Sequence, residues 1–520
     1  MSSDRSAPGA RAPDTSAADG ADGWGSTTAT GAMFSSVEPA TGRVVARVPH
    51  HGPAEVDAAV ARARHDARVW AARSFRQRRR DLRALAGALI HRADELAALL
   101  NAETGKPHED SLYEVLLGAE QLDWSARNAA RVLGERRVSS GLVRVEQRAS
   151  VAYRPLGVVA VIGPWNYPVL VPMGAIASAL AAGNAVVHKP SEHTPAVGRW
   201  LGQLAGEVIG LRHLLAVVTG FGDTGDALCR AEVDKVSFTG SVATARKVAA
   251  ACAETLTPLV LETGGNDAMI VLDDADVDDA ARQAVWGRMQ NAGQVCVAIE
   301  RAYATPGVHD ELLARIAHHA AALRRPGGPG EPYGPITLPS QLEVIREHLD
   351  DALDRGARAI VGGRESVRPP YVDPVVLADV PEGARVLSEE TFGPLLPVVR
   401  VADAAEALER ANATGHGLGA AVFGRRGAAT VARHLRAGMV SIDGVVGFGG
   451  IPALPWGGMG ASGYGRVQGD DGLRAFAHPQ AMTRPRVRLP VPLTSFDRPP
   501  WVVPALHRVM RVGRRPRGRG

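Results

Sequence analysis

The chain has 520 residues, 45% hydrophobic and 22% charged, a length for two or three domains and a composition that excludes a fully disordered or collagen-like polypeptide. Its net charge of +4 is too small to mark a nucleic-acid-binding protein, and it is unevenly placed: from Arg484 to Gly520 there are ten Arg and one Asp, which leaves 49 basic against 54 acidic residues before them. Three cysteines, Cys229, Cys252 and Cys296, without a CxxC or a Cys/His cluster, exclude a disulfide framework and a metal site and point to a reducing, cytoplasmic setting.

Residues 1–31 are rich in Ser, Ala, Gly, Asp and Thr and lack the basic-then-apolar order of a secretory signal, so they read as a disordered leader. Residues 53–132 read as helices. Pro53 suits a first helical turn and Val56, Val60, Ala63 and Ala67 follow at helical spacing, while Leu82, Leu85, Leu89, Leu96 and Leu99 continue the pattern on a second helix. Between 133 and 154 the pattern changes to short alternating segments flanked by Gly134 and Gly141, an arginine-bearing hairpin.

From 155 strands and helices alternate. Val158–Ile162, Ala185–His188, Leu215–Val218, Val236–Phe238 and Pro258–Glu262 are short apolar runs, each followed by a turn and, for the first four, by a helical stretch. This order yields a mostly parallel, doubly wound sheet. Pro155–Val187 is 33 residues without a charge, longer than the ~20 that a bilayer needs. Pro164, Asn166, Pro168 and Pro172 interrupt it, which favours buried strand, loop and helix over a span. A second α/β series runs from near Met269 to about Ser441, with a turn at 326–330, and a Gly-rich stretch, 447–465, precedes the basic tail.

Four places carry chemistry. Gly163-Pro164-Trp165-Asn166-Tyr167-Pro168 follows a buried strand, where loops of open α/β sheets meet ligands, and the Asn166 amide is able to donate to an oxyanion; alone, it reads as an Asn satisfied within a turn. In His188-Lys189-Pro190-Ser191-Glu192, a Lys and a Glu three apart suit the two hydroxyls of a ribose, or form an ordinary surface ion pair. Phe238-Thr239-Gly240-Ser241 passes from strand to helix, and Ser241 is placed to cap a helix whose free N–H groups attract a pyrophosphate. Finally, Leu261-Glu262-Thr263-Gly264-Gly265 and Asn291-Ala292-Gly293-Gln294-Val295-Cys296 offer a strand-terminal carboxylate and a cysteine after a turn, a general base and a nucleophile. Cys229 and Cys252 lack such a setting and read as small buried hydrophobes. The one G-x-G-x-x-G match, Gly458–Gly463, has no strand before it and is not a dinucleotide fingerprint.

Together these motifs, with Glu389-Glu390-Thr391-Phe392-Gly393-Pro394 and the glycine-rich Met459–Gly465, resemble the aldehyde dehydrogenase superfamily in family order over about residues 35–485. The chain looks nearest to bacterial broad-range and succinate-semialdehyde-like members. The resemblance implies an α/β fold: a Rossmann-like doubly wound cofactor domain (32–132 and 155–265), a second α/β catalytic domain (266–465), a small β oligomerisation arm (133–154 and 473–489) and a basic tail (490–520). It implies oxidation of an aldehyde to the acid through a cysteine thiohemiacetal and thioester. Cys296 is then the nucleophile, Glu262 the general base and Asn166 an oxyanion donor. Lys189 and Glu192 match adenosine-ribose ligands, Gly240 and Ser241 the pyrophosphate contact, Glu390 the nicotinamide-ribose ligand, and Trp165 and Phe392 the walls beside the ring. Glu192 would repel a 2′-phosphate, so NAD is preferred over NADP.

Two departures matter. Thr263-Gly264-Gly265-Asn266 stands where the family has Leu-Gly-Gly-Lys, removing a lysine beside the base. Where semialdehyde members place an Arg before Asn-Ala-Gly-Gln this chain has Gln290, with Arg288 two residues earlier, which counts against a dicarboxylic semialdehyde. Tyr167, Leu170, Val171, Val295 and Trp456 are the candidates for an apolar tunnel serving a medium aliphatic or aromatic aldehyde. The family's arms imply a homodimer or homotetramer. Val502, Val503, Leu506, Val509 and Met510 among Arg508, Arg511, Arg514 and Arg515 form a basic amphipathic tail, suited to weak peripheral membrane contact, although a solvated tail or subunit contact is the preferred reading. The alternatives are a CoA-acylating semialdehyde dehydrogenase, against which Glu262 counts, and a non-catalytic binding pseudoenzyme of the same fold, against which the full set of Cys, Glu, Asn and Lys counts.

Overall fold

Short β-branched runs and longer helical stretches alternate in a computed structural model that describes residues 31–141, 147–327, 330–487 and 495–513. The leader up to residue 30, the hairpin segment 142–146, two residues of the 326–330 turn and parts of the basic tail lie outside the described residues. An antiparallel pair, β1 (Met33–Val37) and β2 (Val44–Pro49), leads into α1 (Pro53–Ala71), α2 (Phe75–His91), α3 (Ala93–Thr104) and α4 (His108–Leu133). The leucine series expected on one helix is split between α2 and α3. Arg92 leaves the helical region at φ −110° and ψ 23°, and the break shifts the phase so that Leu100 is buried where Leu99 was expected inward.

After β3 (Arg136–Val138) and β4 (Gln147–Pro155) comes the first α/β series: β5 (Val158–Ile162), α5 (Leu170–Ala182), β6 (Ala185–Lys189), α6 (Pro195–Ile209), β7 (Leu215–Val217), α7 (Gly222–Arg230), β8 (Lys235–Gly240), α8 (Val242–Thr255) and β9 (Leu259–Thr263). The charge-free stretch 155–187 resolves into β5, the 13-residue α5 and most of β6, and among the described residues no helix is long and apolar enough to cross a membrane. Strands β5 and β6 are buried at all five positions, the signature of a parallel sheet covered on both faces.

The second series is β10 (Asp267–Val271), α9 (Val277–Met289), β11 (Ile299–Ala304), α10 (His309–Ala321), α11 (Pro339–Asp354), β12 (Arg358–Val361), a small hairpin of β13 (Val367–Arg368) and β14 (Tyr371–Val372), β15 (Val375–Ala378), β16 (Leu395–Arg400), α12 (Ala404–Ala411), β17 (Gly419–Phe423), α13 (Ala428–His434) and β18 (Met439–Ile442). The chain then forms β19 (Gly463–Tyr464), α14 (Gly469–Ala475), β20 (Ala477–Pro485) and α15 (Val502–Gly513). The arm expected at 473–489 therefore begins as helix, and its strand occupies 477–485.

The first sheet has the order β19-β9-β8-β5-β6-β7, with β19 antiparallel and the other five parallel. From β5 the chain winds outward through β6 and β7, then returns to β8 and β9 on the other side. The direction of winding therefore reverses between β5 and β8, and a crevice opens beyond their carboxyl ends. The second sheet runs β12-β15-β16-β11-β10-β17-β18, parallel except at β12. Period-two alternation sends Met269 and Val271 of β10 toward α9 and α10, and Ala268 and Ile270 toward α12 and α13.

Among the described residues, those from 31 to 132 and from 155 to 477 form one compact unit, so both large sheets belong to a single body and the sequence boundary at 265 falls between them. The described residues of 133–154 and those from His478 onward form a second unit, whose sheet has the order β20-β4-β3.

Candidate active site

The turn after β5 lies on the crevice. Gly163 is followed by Trp165, half-buried, and Asn166, 5% exposed. The Asn166 amide Nδ2 donates to the Gln294 carbonyl at 3.0 Å, which fixes this loop to the segment leading into Cys296. That segment is unusual: Asn291, Ala292 and Gly293 are successive left-handed residues, at φ 49°, 57° and 75°. For the two non-glycine residues this costs about 1–3 kcal/mol each, and such strain persists where surrounding bonds over-determine it. Here they do. Gln294 Nε2 donates to the Asn291 and Pro335 carbonyls at 2.9 and 3.2 Å, its Oε1 accepts the Thr337 N–H at 2.8 Å, and Asn291 Nδ2 donates to the Gln294 carbonyl at 3.2 Å.

Cys296 is partly exposed, unlike Cys229 and Cys252, which are buried. Burial, then the Glu262, Glu390 and Asp267 carboxylates, push the Cys296 thiol well above its ordinary value.

Glu262 is the penultimate residue of β9, at 2% exposure. Its Oε1 accepts the Trp456 indole N–H at 2.6 Å and its Oε2 the Thr239 hydroxyl at 3.4 Å. Burial raises the carboxyl to about 7, against the lowering effect of those two donors. Trp456, expected in the tunnel, is 8% exposed and its polar edge is committed to this carboxylate; its ring packs against Phe448 at 5.8 Å. An indole N–H needs a partner when buried, and Glu262 supplies it. After β9 the Gly264-Gly265 backbone threads a narrow gap: a Cβ on Gly265 would lie 2.7 Å from the Cys296 carbonyl oxygen, and one on Gly264 would enter the Glu390 carboxylate. Tyr167, Leu170 and Val171 follow Asn166 directly, all partly exposed, while Val295 is buried beside Cys296. Burial, then the Glu114, Asp110 and Cys296 charges, raise the Tyr167 phenol well above its usual value, which puts that ring within electrostatic reach of the sulfur.

Of the remaining expected ligands, Lys189 ends β6, Ser241 follows β8 and Glu390 precedes β16. Lys189 Nζ lies 3.6 Å from Glu192 Oε2, and Lys189 with His193 outweighs burial to hold the Glu192 carboxyl below its ordinary value. Gly240 closes β8, and Ser241 caps the 14-residue α8, its Oγ accepting the Thr244 N–H at 3.2 Å while the residue stays exposed. Trp165 and Phe392 meet edge to face at 5.7 Å. Glu390 Oε1 accepts the Gly265 N–H at 3.1 Å. Gly458–Gly463, rejected as a fingerprint, leads into β19, whose Gly463 pairs with Glu262.

Sequence reasoning missed the groups that hold these residues. Lys106, 1% exposed, donates to the Asn166 carbonyl at 2.9 Å, pairs with the buried Glu114 and sits 3.7 Å above the Tyr167 ring. Glu114 Oε1 in turn accepts the Val169 and Leu170 N–H groups at 2.8 and 3.1 Å. The usable signal was the scarcity of lysine, four against 55 Arg. Arg288, weighed above as a grip for a distal carboxylate, is wholly buried and forms an ion pair with Glu300 at 2.6 Å. Glu300 accepts the Thr391 and Phe392 N–H groups at 3.1 and 3.3 Å, so the pair braces the loop that carries Glu390 and Phe392. The Asn266 amide donates to the Glu389 carbonyl at 2.9 Å, joining that brace.

The sequence model described as "Aldehyde dehydrogenase family" matches residues 24–482. The chain is 36% identical to 4,4'-diapolycopene aldehyde oxidase of Methylomonas sp, over 88% of this chain and 87% of that protein. It is also 36% identical to a probable NADP(+) succinate-semialdehyde dehydrogenase of Sinorhizobium fredii, over 85% of this chain and 91% of that one. Its fold superposes on an indole-3-acetaldehyde dehydrogenase solved with NAD+, with a TM-score of 0.83 at 31% identity, covering 89% and 95% of the two chains. A cysteine, a raised carboxyl and an amide gathered at a dinucleotide-type crevice thus stand in a chain that belongs to the aldehyde dehydrogenase family, an NAD(P)-dependent oxidoreductase that converts an aldehyde to its acid.

Proposed function

We propose that this enzyme oxidises a medium-sized aliphatic or aromatic aldehyde with NAD in preference to NADP. The observation that carries the reading is the gathering of Asn166, Glu262 and Cys296 around one crevice, with Glu262 raised to about 7. Cys296 passes its proton to Glu262, which releases it to solvent and is ionised again, and the thiolate adds to the aldehyde carbon. The oxyanion of the resulting thiohemiacetal takes hydrogen bonds from the Asn166 amide and the Cys296 N–H; losing one such donor typically costs about 10²–10³ in rate. NAD, when bound, supplies the hydride acceptor that turns this adduct into a thioester. Ionised Glu262 then takes a proton from water, the hydroxyl adds to the thioester carbonyl, and the carbon–sulfur bond breaks to release the acid and return the thiolate.

The crevice fits such a cofactor. The first turn of α8 has free N–H groups beside the exposed Ser241 and Gly240, a ready seat for a pyrophosphate. Lys189 and Glu192 would hold the adenosine ribose, Glu390 the second ribose, and Trp165 and Phe392 would flank the nicotinamide. The anionic state of Glu192 supports NAD, since it would face a 2′-phosphate with like charge. We expect KM for NADP to exceed that for NAD by about tenfold or more, the equivalent of about 1.4 kcal/mol, and Glu192→Ser to narrow the gap. Equal KM values for the two cofactors overturn this preference.

Commitment of Arg288 to Glu300 supports an uncharged tail on the substrate, with Tyr167, Leu170, Val171 and Val295 as the apolar wall. A panel of aldehydes assayed by NADH formation tests it; a preference for semialdehydes bearing a distal carboxylate would overturn it. Turnover that requires CoA would replace hydrolysis by acyl transfer. The strands β3, β4 and β20 suit assembly as a homodimer or homotetramer, and the cysteine usage suits the cytoplasm.

A further inference from the structure

The loop that carries Glu390 and Phe392 is seated on one face of α11. Gln341, Ile345 and His348 stand at i, i+4 and i+7 of that helix, so their side chains share the face. Gln341 Nε2 donates to the Thr391 carbonyl at 2.8 Å, and a Cβ on Gly393 would enter the Ile345 side chain. His348, 1% exposed, meets the loop on both sides of Glu390. Its Nδ1 shares a hydrogen bond with the Thr391 hydroxyl at 3.1 Å, and its Nε2 lies 3.4 Å from Glu389 Oε2. Arg385 grips the same carboxylate through Nε and Nη2 at 3.0 and 2.9 Å. The loop needs such support: Phe392 is left-handed at φ 49°, a conformation that a bulky residue keeps only where its surroundings impose it. Gly393 also abuts the turn that leads to Cys296, since a Cβ on Gly293 would enter the Gly393 backbone.

We propose that His348 is a positioning residue for the cofactor: through Thr391 and Glu389 it sets Glu390 and Phe392 where the nicotinamide ribose and ring are to lie. The inference rests on the reading that these two residues meet the nicotinamide half of the dinucleotide. Burial, then the Arg385 charge, lower the His348 imidazole below its ordinary value against the pull of Glu389 and Glu300, which favours the neutral ring. A carboxylate facing Nε2 draws the one ring proton to that nitrogen and leaves Nδ1 to accept from the Thr391 hydroxyl. One imidazole thus satisfies a partner on either side of Glu390. An apolar side chain at 348 would leave the buried Thr391 hydroxyl without this acceptor, and the loop would relax away from the strained Phe392 geometry.

The test combines steady-state kinetics with fluorescence titration of NADH on the full-length enzyme. His348→Leu and Thr391→Val should each raise KM for NAD and Kd for NADH about tenfold, while KM for the aldehyde moves by less than about twofold. Together the two substitutions should do no more than either alone, because they remove the same bond. His348→Asn, whose amide oxygen accepts from the Thr391 hydroxyl, should recover most of the loss. Thr391→Val, close to the native shape, decides the matter should His348→Leu not fold. Parallel changes in the two KM values, a lowered melting temperature with unchanged cofactor constants, or an Asn variant no better than the Leu variant overturns the proposal. Glu390→Gln separates it from the reading beneath it. Unchanged cofactor constants in that variant remove Glu390 from the ribose seat, and both ideas fall. Raised constants there, with unchanged ones in His348→Leu and Thr391→Val, remove the role of His348 alone.

Discussion

The sulfur of Cys296 and the carboxyl of Glu262 share one requirement: each must lose its proton, the first to attack and the second to accept a proton in its turn. Cys296→Ala should abolish NADH formation from every aldehyde. Glu262→Gln should leave a first-turnover burst of NADH but slow the steady state by about 10²–10⁴, because the acyl group is no longer hydrolysed. With Glu262 near 7, steady-state turnover should rise with pH through neutrality as the base ionises. Trp456→Phe keeps the ring but removes the donor that stabilises the anion, so this rise should move upward by about one pH unit, roughly 1.4 kcal/mol. An unmoved pH profile would leave Trp456 a packing residue only. Cys296, Glu262 and Asn166 are the candidates that sequence could name, because each lies in a short motif at a strand end or tight turn, where local sequence dictates local backbone. The bond of Trp456 to Glu262 was not legible, because the two lie 194 residues apart and no local pattern links them.

Elements are held to the site by buried pairs that the sequence hides. Lys106 and Glu114 join the start of α4 to the Asn166 loop, and Arg288 and Glu300 join α9 and β11 to the Glu390 loop. Lys106→Met would leave Glu114 buried without its cation, at a cost of about 3–5 kcal/mol. Thermal unfolding should show that loss, and the remaining folded enzyme should have lower kcat, because Asn166 loses an anchor. The strands themselves were readable, since fully buried β-branched runs such as Val158–Ile162 have no competing helical pattern. The split of the leucine helix at Arg92 was not, because no Pro or Gly marks it.

Over the whole molecule, buried carboxyls set the response to pH. Burial raises Glu103 to about 7, Glu262 to about 7 and Asp267 to about 8. In the unfolded chain these groups are already ionised near neutrality, so the native state holds extra protons and loses that advantage as pH rises through 7 and 8. Buried His188, lowered to about 4 by desolvation, acts in the opposite sense, but its contribution is complete above its ordinary 6.5. The melting temperature should therefore fall between pH 6.5 and 8, and Glu103→Gln should flatten part of that fall.

The scarcity of lysine has a practical outcome. Lys106, Lys189 and Lys235 are 1%, 4% and 8% exposed, so Lys247 on α8 is the one lysine open to solvent. A succinimidyl dye should label the folded enzyme almost wholly there, apart from its terminal amine. Lys247 stands six positions beyond Ser241, about 9 Å along the helix, so the fluorophore would test the proposed nucleotide seat at the near end of α8 without any engineered tag.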